Sequence, residues 1–548
     1  MRLLSVAEMR ALEAGADAAG HSYAQMMAQA GAAVALAIEE REPIEGRAIV
    51  VLVGPGNNGG DGLVVARLLQ ERGAQVTAYL SAARDATSDE VYRKAVMAGV
   101  AILIDDQDAL RRAVSQADVL VDALLGTGAT PPLRGAIAEI LQTVTETLVP
   151  ARRTLTPVQG VVPSWRHQPC IVAVDGPSGL DFDTGEIDPL ALDASLTVTF
   201  AAPKWGHVRL PGAAKVGELL VADIGIPESV LVPAGPELAT SDLIAEWLPP
   251  RPAGANKGTF GKAMIVAGSS NYTGAAVLSA SAAIRAGAGL VTLALPGNLH
   301  PAVVAAIPEA TYLLLPHTLG VVNEHAVPVL RDSLEGYTAL LIGPGLGNTA
   351  ESRAFLRTLL RPGGSARSTG FVKSGIPASA PPDLPALVID ADGLNILSET
   401  SAWPELLPRD TVLTPHPGEM ARLTGTSIGE IQGARVDTAQ TWAEAWQQVV
   451  VLKGAFTVVA APGKQPVVLP FANAGLAKAG TGDVLAGTIV ALRAQGLGAF
   501  RAAIAGAYLH GLAGAIVTQR LGAAGTAASD VAYALAEAWR RLPHPNAF

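Results

Sequence analysis

Cysteine is almost missing: Cys170 is the only one in 548 residues. An intrachain disulfide is therefore impossible, which suits a reducing compartment. Positive charge is also short, with 39 Lys and Arg against 49 Asp and Glu and a formal net charge of −10. A phosphate-backbone-binding face needs an excess of Lys and Arg, so no nucleic-acid partner is expected. Long apolar runs are lacking too. None reaches about 18 residues without Gly, Pro or a charge, so no membrane span is expected. The opening MRLLSVAEMRALEAG has Glu8, Arg10 and Glu13 where a signal peptide needs an unbroken apolar core. These absences together lead to the expectation of a soluble cytoplasmic protein. What the chain has in quantity is alanine, within a composition 49% hydrophobic and 16% charged. That composition suits smooth, close-packed helices. The length exceeds one ordinary core and calls for at least two domains.

Short β-branched runs alternate with Ala/Leu-rich helical stretches. AIVVLVG (48–54), QVTAYL (75–80), VAILID (100–105), DVLVDALLG (118–126) and CIVAVDG (170–176) are continuously apolar. Such runs suit parallel strands buried on both faces, with helices as crossovers. A Pro-rich stretch, 225–258, breaks the rhythm and places a boundary near 235, giving domains 1–235 and 236–548. The pattern restarts with AMIVAGSS, LVTLALPG, ALLIGPGLG, ALVIDADGLN and QVVVLKGAFTVVAAPG, then closes with three Ala-rich helical stretches. The Gly motifs of the halves differ in form, so the halves do not read as copies. Segments 151–169 and 362–383 are polar and aperiodic and read as inserted surface loops.

The stretch VVLVGPGNNGGDGLVVA contains G-x-G-x-x-G at Gly54, Gly56 and Gly59. A dinucleotide coenzyme site would add an acid at the end of the next strand to bind the ribose. That strand ends TAYLSAAR, and the first acid is Asp85, already in a loop. A coenzyme turn and a turn whose glycines merely permit close packing both remain open. Other strand ends add to it: Asp122 with a Gly-Thr-Gly turn, Asp175 with Ser178, and Lys204. Ligand-binding residues of open parallel sheets gather at carboxyl ends of strands, although one acid there can simply cap a helix.

The motifs GPGNNGGDG, DALLGTG, VDGPSGLD and FAAPKWG resemble the N-terminal domain of the bifunctional NAD(P)H-hydrate repair enzymes, over roughly residues 1–225. The resemblance implies a Rossmann-like three-layer α/β domain with a mostly parallel sheet and NAD(P)HX epimerase activity. It implies that Asn57, Asn58, Gly59, Gly60 and Asp61 contact the hydrated nucleotide, with Gly126, Thr127, Gly128, Ala129, Thr130, Pro131 and Pro132 lying along it. Asn58, Asp122 and Ser178 would ligate K+, and Asp175 would be the acid/base. In that family Ile usually stands where this chain has Gly176, a position expected to pack.

NAGLAKAGTGDVLAGTIVAL (473–492) is the strongest signal of the second half. Gly480, Thr481 and Gly482 run into an apolar helix, whose first N–H groups form an anion site. Asp483 in the first turn can take a hydroxyl proton during phosphoryl transfer, or can simply favour the helix dipole. Lys453–Thr457 can line an adenine nucleotide or form a plain hairpin turn. His416 reads as a turn residue ahead of a helix. Asp390, Asp392 and Asn395 are either solvated loop acids or Mg2+ binders acting through water or phosphates.

Taken together, KGTFGKAMIVAGSSNYTGAA, LLIGPGLG, VIDADGLN, TPHPGEM, LKGAFT and NAGLAKAGTGD resemble the ADP-dependent NAD(P)HX dehydratase, a ribokinase-like α/β domain, over roughly 240–540. The resemblance implies that Lys453, Gly454, Ala455, Phe456, Thr457 and Gly482 contact ADP or ATP with Mg2+. Ala275, Gly347, His416 and Asp483 would contact the hydrate. Its implied chemistry phosphorylates the hydrate's hydroxyl and lets phosphate leave. Two other readings stand beside it: a small-alcohol kinase with an accessory N-terminal domain, and an N-terminal half acting only as a binding module. Ala-rich faces and the resemblance lead to the expectation of a homo-oligomer.

Overall fold

The apolar runs become strands, and their helical spacers become crossovers. The computed structural model describes residues 1–128, 130–149, 168–230, 234–361 and 383–543. Nearly all of the two segments read as insertions lies outside the described residues, as does Ala129. The chain divides into two units, Met1–Ala234 and Gly235–Phe548.

In the first unit the strands are β1 (Ala48–Val53), β2 (Gln75–Leu80), β3 (Ala101–Ile104), β4 (Val119–Ala123), β5 (Cys170–Val174), β6 (Leu196–Phe200) and β7 (Glu218–Ala222). They pair in parallel in the order 3-2-1-4-5-6-7. Strand order reverses between β1 and β4, where an open α/β sheet leaves a crevice. The register sets Val53 beside Ala123 and Asp122 beside Ala173. β1 and β4–β6 are almost wholly buried, which is why their sequences carry no polar alternation.

The second unit holds β8 (Glu237–Leu238), β9 (Lys262–Val266), β10 (Leu290–Pro296), β11 (Thr311–Leu315), a small antiparallel pair β12 (His317–Thr318) and β13 (Val321–Val322), then β14 (Ala339–Ile342), β15 (Ala386–Ile389), β16 (Val412–Leu413), β17 (Val449–Leu452), β18 (Val458–Ala460) and β19 (Val467–Val468). The large sheet runs 11-10-9-14-15-16-17-18-19-8. Strands β11 to β17 of that list are parallel, while β18 and β19 turn antiparallel at the far side. Counted along the chain, those seven parallel strands follow the same 3-2-1-4-5-6-7 winding as the first unit. The glycine turns differ between the halves, so comparing motifs concealed this shared order.

Small residues let the second unit's helices approach closely. A Cβ on Gly487 would stand 2.1 Å from the Ser279 carbonyl, so the helix Thr481–Ala494 rests directly on Thr273–Arg285. That contact fixes where Gly480–Asp483 opens toward the strand ends. Ala499–Gly525 is long and apolar enough to cross a membrane by length and composition. Counting uninterrupted runs passed over it because its apolar residues are punctuated by glycine. Most of its apolar window is buried inside the second unit, and Gly522 breaks its helical backbone.

Candidate active sites

The glycines of the opening motif have separable jobs. A Cβ on Gly54 would lie 1.7 Å from the Leu124 carbonyl, and one on Gly59 would lie 2.0 Å from the Gly54 carbonyl. Both glycines let β1, the turn after β4 and the helix Asn57–Glu71 meet. Gly56 faces open space. Arg84, just past β2, donates to the Gly54 and Gly56 carbonyls at 2.7 and 3.2 Å. An arginine therefore braces this turn from the loop after β2, where a dinucleotide site would offer a ribose-binding acid.

Asp175 follows β5 by one residue and is nearly fully buried. Its Oδ1 accepts from Lys204 Nζ at 2.7 Å and Thr199 Oγ1 at 2.8 Å, and Lys204 Nζ also donates to Thr199 Oγ1 at 2.7 Å. Burial alone would raise the carboxyl's pKa, but the Lys204 charge and these hydrogen bonds hold it below the usual carboxylate range. Asp61 is the opposite case. It is pushed well up by burial and by the negative charges of Asp175 and Glu13. Glu13, from the helix Val6–Ala18, is raised by burial with Asp175 adding to it. The environments thus push the two carboxyls in opposite directions, Asp175 down and Asp61 up, the kind of separation that lets two carboxyls act as base and acid. A cavity of about 440 Å³ is lined by Glu13, Met27, Asn57, Asp61, Val64 and Phe200, among others.

Asp122, fully buried at the end of β4, accepts from Ser178 Oγ at 2.6 Å and from Ser178 N at 2.8 Å. Burial raises its pKa against those bonds. Asn58 is buried beside Gly126, and its Nδ2 has no hydrogen-bond partner. Turned over, that amide offers a carbonyl oxygen to the same place. A buried carboxylate, a hydroxyl and a side-chain amide are donors whose chemistry fits a large monovalent cation. Thr127, Gly128, Thr130, Pro131 and Pro132 form a largely exposed turn after Gly126.

Gly176 is closed off by Phe182, whose Cζ would stand 2.6 Å from a Cβ there. The position therefore packs, against a ring that fills the space an Ile would take. Gly176→Ile is expected to cost about 2–3 kcal/mol by overpacking, with most of it recovered in the Gly176→Ile, Phe182→Ala double variant. Denaturant melts of both proteins check this.

In the second unit five strand ends converge. Gly268 N donates to the Pro344 carbonyl at 2.8 Å, joining the turns after β9 and β14. Ala275 packs by Gly345, and Gly347 N donates to Asp392 Oδ2 at 2.8 Å. Asp390, one residue past β15, accepts from Lys453 Nζ at 2.6 Å and from Thr414 Oγ1 at 2.8 Å. Its Oδ2 is buried without a partner and lies 3.9 Å from where a Gly482 Cβ would be. Lys453 follows β17 and also faces Glu419 at 3.6 Å. Burial would lower the lysine's pKa, but Asp390 and Glu419 carry it upward. Asp483 is pushed up to about 7 by burial, with Asp390, Asp392 and Glu419 adding repulsion and Lys453 opposing them. A carboxyl balanced near neutrality at a helix start suits general-base work.

His416 caps the helix Pro417–Thr424: its Nδ1 accepts from Gly418 N at 2.9 Å. This is the expected turn role, with the other ring edge toward Glu419 at 3.6 Å. Lys453–Thr457 does form the hairpin between β17 and β18. Arg435 supports it, donating to the Leu452 and Lys453 carbonyls at 2.9 and 3.2 Å. The sequence drew attention to Lys204 at a strand end but gave it no role. Thr199, Glu13, Thr414, Glu419 and Arg435 were missed. Thr199 and Thr414 carried a faint signal, a polar residue inside or just past a buried strand. The other three reach the sites only through the tertiary fold.

Gly482→Ala is expected to separate stability from chemistry. The added methyl would meet Lys453 Nζ at 3.4 Å, an ordinary contact. The helix should gain up to about 1 kcal/mol, while nucleotide-dependent turnover falls tenfold or more if the amides of this helix start receive the phosphate. Melting temperature and turnover of the same preparation read both effects.

Comparison with known proteins adds the following. Residues 263–536 match the family model described as NAD(P)H-hydrate dehydratase, and residues 23–206 match YjeF-related protein N-terminus. A bifunctional NAD(P)H-hydrate repair enzyme of Moorella thermoacetica is 38% identical over 489 residues, covering 86% of this chain and 84% of the relative. One of Thermofilum pendens is 35% identical over 506 residues, covering 91% and 88%. A Bacillus subtilis ADP/ATP-dependent NAD(P)H-hydrate dehydratase, co-crystallised with ATP and Mg2+, is 31% identical, covers 56% of this chain and 99% of its own, and has a TM-score of 0.46.

Proposed function

The chain belongs to the bifunctional NAD(P)H-hydrate repair enzymes, and from that premise we propose that its two sheets divide the repair between the two strand-end sites. The enzyme epimerises hydrated NADH and NADPH and dehydrates the S epimer back to NAD(P)H with ADP or ATP.

We assign epimerisation to residues 1–235. The supporting observation is the buried Asp175 held on Lys204 Nζ at 2.7 Å, its pKa lowered, with Asp61 nearby pushed the other way by burial and by the Asp175 charge. Losing the hydroxyl as water consumes a proton, which Asp61 can give. The ring nitrogen's lone pair supports the resulting cation. Water then adds from the other face and gives up a proton, which Asp175 can take. Asn57–Asp61 and Gly126–Pro132, including Ala129, would hold the nucleotide. Asn58, Asp122 and Ser178 would hold K+, which when bound supplies positive charge beside the buried carboxylate.

We assign dehydration to residues 236–548. The observation that carries this reading is Asp483, its pKa pushed up to about 7, in the first turn of the helix that begins at Thr481. Asp483 accepts the hydroxyl proton of the hydrate as the nucleotide's terminal phosphoryl group moves to that oxygen. The amides of the helix start stabilise the group in flight. The ring nitrogen then expels phosphate, and loss of a proton from the neighbouring carbon restores the double bond. Lys453–Thr457 and Gly482 would bind the nucleotide, and Ala275, Gly347 and His416 the hydrate. Among the described residues no group of three or more His, Cys, Asp or Glu is placed to hold a metal ion. Mg2+ would enter with the nucleotide and supply positive charge at its phosphates, and Asp390, whose Oδ2 is buried without a partner, would help to hold it. A cytoplasmic homo-oligomer completes this reading, supported by the single cysteine and the Ala-rich helices.

Hydrated NADH containing both epimers, incubated with the protein and ADP, tests the division of labour. Full recovery of absorbance supports it. Recovery of one epimer's share would remove the epimerase assignment, and no recovery would favour kinase action on another alcohol.

A further inference from the structure

His207 is a buried ring that touches both members of the Asp175–Lys204 pair through its two nitrogens. Its Nδ1 accepts from the Lys204 backbone N–H at 3.0 Å, and its Nε2 lies 2.9 Å from the Asp175 carbonyl oxygen. An amide N–H can only donate and a carbonyl can only accept. Nδ1 must therefore be bare and Nε2 must carry the proton. Both contacts are satisfied only by a neutral imidazole in this single tautomer.

The held carbonyl belongs to a residue with an unusual backbone. Asp175 has φ 65°, in the left-handed region that a non-glycine residue enters at a cost. Its N–H donates to the Val198 carbonyl at 2.8 Å. With His207 on its carbonyl, the residue is pinned on both sides, and its side chain turns toward Lys204 and Thr199. Phe182 meets the imidazole edge-on, with ring centroids 5.3 Å apart, and keeps it from rotating. We propose that His207 is the positioning residue of the epimerisation site, a tautomer-locked clamp that holds Asp175 in its left-handed conformation and sets its carboxylate on Lys204. Burial and the Lys204 charge lower its pKa to about 4, so the clamp stays neutral across the working range.

This inference rests on the assignment of epimerisation to Asp175, and the test separates the two. Epimerisation and ADP-dependent dehydration are measured on the full chain for wild type, Asp175→Asn, His207→Asn and His207→Gln. Asn retains an acceptor for the Lys204 N–H but does not reach Asp175. Gln reaches Asp175 with a donor. The expected result for His207→Asn is an epimerisation kcat lower by about 30-fold at similar KM, with dehydration of the S epimer unchanged. Its acid limb should also move to higher pH, because Asp175 loses its alignment with Lys204. Glu13 and Asp61 also face Asp175, so Glu13→Gln is run alongside to confirm that the shift is not theirs. His207→Gln should recover most of kcat and restore the limb. An unchanged kcat in His207→Asn, or a fall accompanied by lost melting temperature and an unmoved acid limb, overturns the clamp. Full epimerisation by Asp175→Asn would instead overturn the site assignment itself.

Discussion

Asp483→Asn should stop nucleotide-dependent restoration of NADH, by a factor of about 10³ or more, while the protein becomes more stable. The two effects share one cause. Burial beside Asp390, Asp392 and Glu419 lifts this carboxyl from 3.8 to about 7. The folded state therefore binds a proton that the unfolded chain has released, and ionising the group as pH rises through 7 weakens folding. Converted directly, that shift is about 4 kcal/mol above pH 7, trimmed to roughly 2–4 by partial exposure. Asn removes the charge and keeps the shape, so the gain should be full at pH 8 and absent at pH 4. Wild-type turnover should show the complementary profile, falling tenfold per unit below pH 7 as the base is protonated. Melts at pH 5 and pH 8, with NADH absorbance at each pH, decide the matter. A variant that lost activity by unfolding would show the opposite stability change.

The second large effect is expected at Asp175→Asn, with the opposite sign in stability. Lys204 is 1% exposed, and Asp175 is its only carboxylate partner within ion-pair distance among the described residues. Removing one member leaves a buried charge uncompensated, which costs about 3–5 kcal/mol in the first unit. Epimerisation should fall by at least about 10²-fold, so in the presence of ADP only the S share of a hydrate mixture is recovered. Asp175→Asn with Lys204→Met should regain much of the stability and none of the epimerisation. The melting curves and the fraction of NADH recovered separate the structural loss from the chemical one.

The buried parallel strands were legible because burial on both faces erases polar alternation and leaves runs such as IVVLV and LVTLALP. β16, two residues long, and β11, half-exposed at its sheet's edge, leave no comparable trace. Asp122, Asp175, Asp390 and Lys453 were legible because each directly ends such a run. Glu13 was not, since nothing local distinguishes a helix carboxylate that the tertiary fold carries to a strand end more than 150 residues away. Asp390 illustrates another limit. Its residue type suggested a metal or a solvated loop, but the fold buries it against Lys453 and Thr414. Gly54 and Gly59 carried the right motif for a coenzyme, and close packing by itself already requires glycine at both.

The common winding of the two sheets makes the end of the fifth strand the same address in each unit. At that address each places an aspartate one residue beyond the strand, a threonine from the sixth strand or its first following residue, and a lysine ammonium paired with the aspartate: Asp175, Thr199 and Lys204 in one, Asp390, Thr414 and Lys453 in the other. What distinguishes their chemistries is the neighbour delivered to that address, the helix carboxyls Glu13 and Asp61 in the first and a helix start bearing Asp483 in the second. On the assignment proposed above, one wiring plan hosts an isomerisation and a phosphoryl transfer, the difference residing in which helix is plugged into the socket.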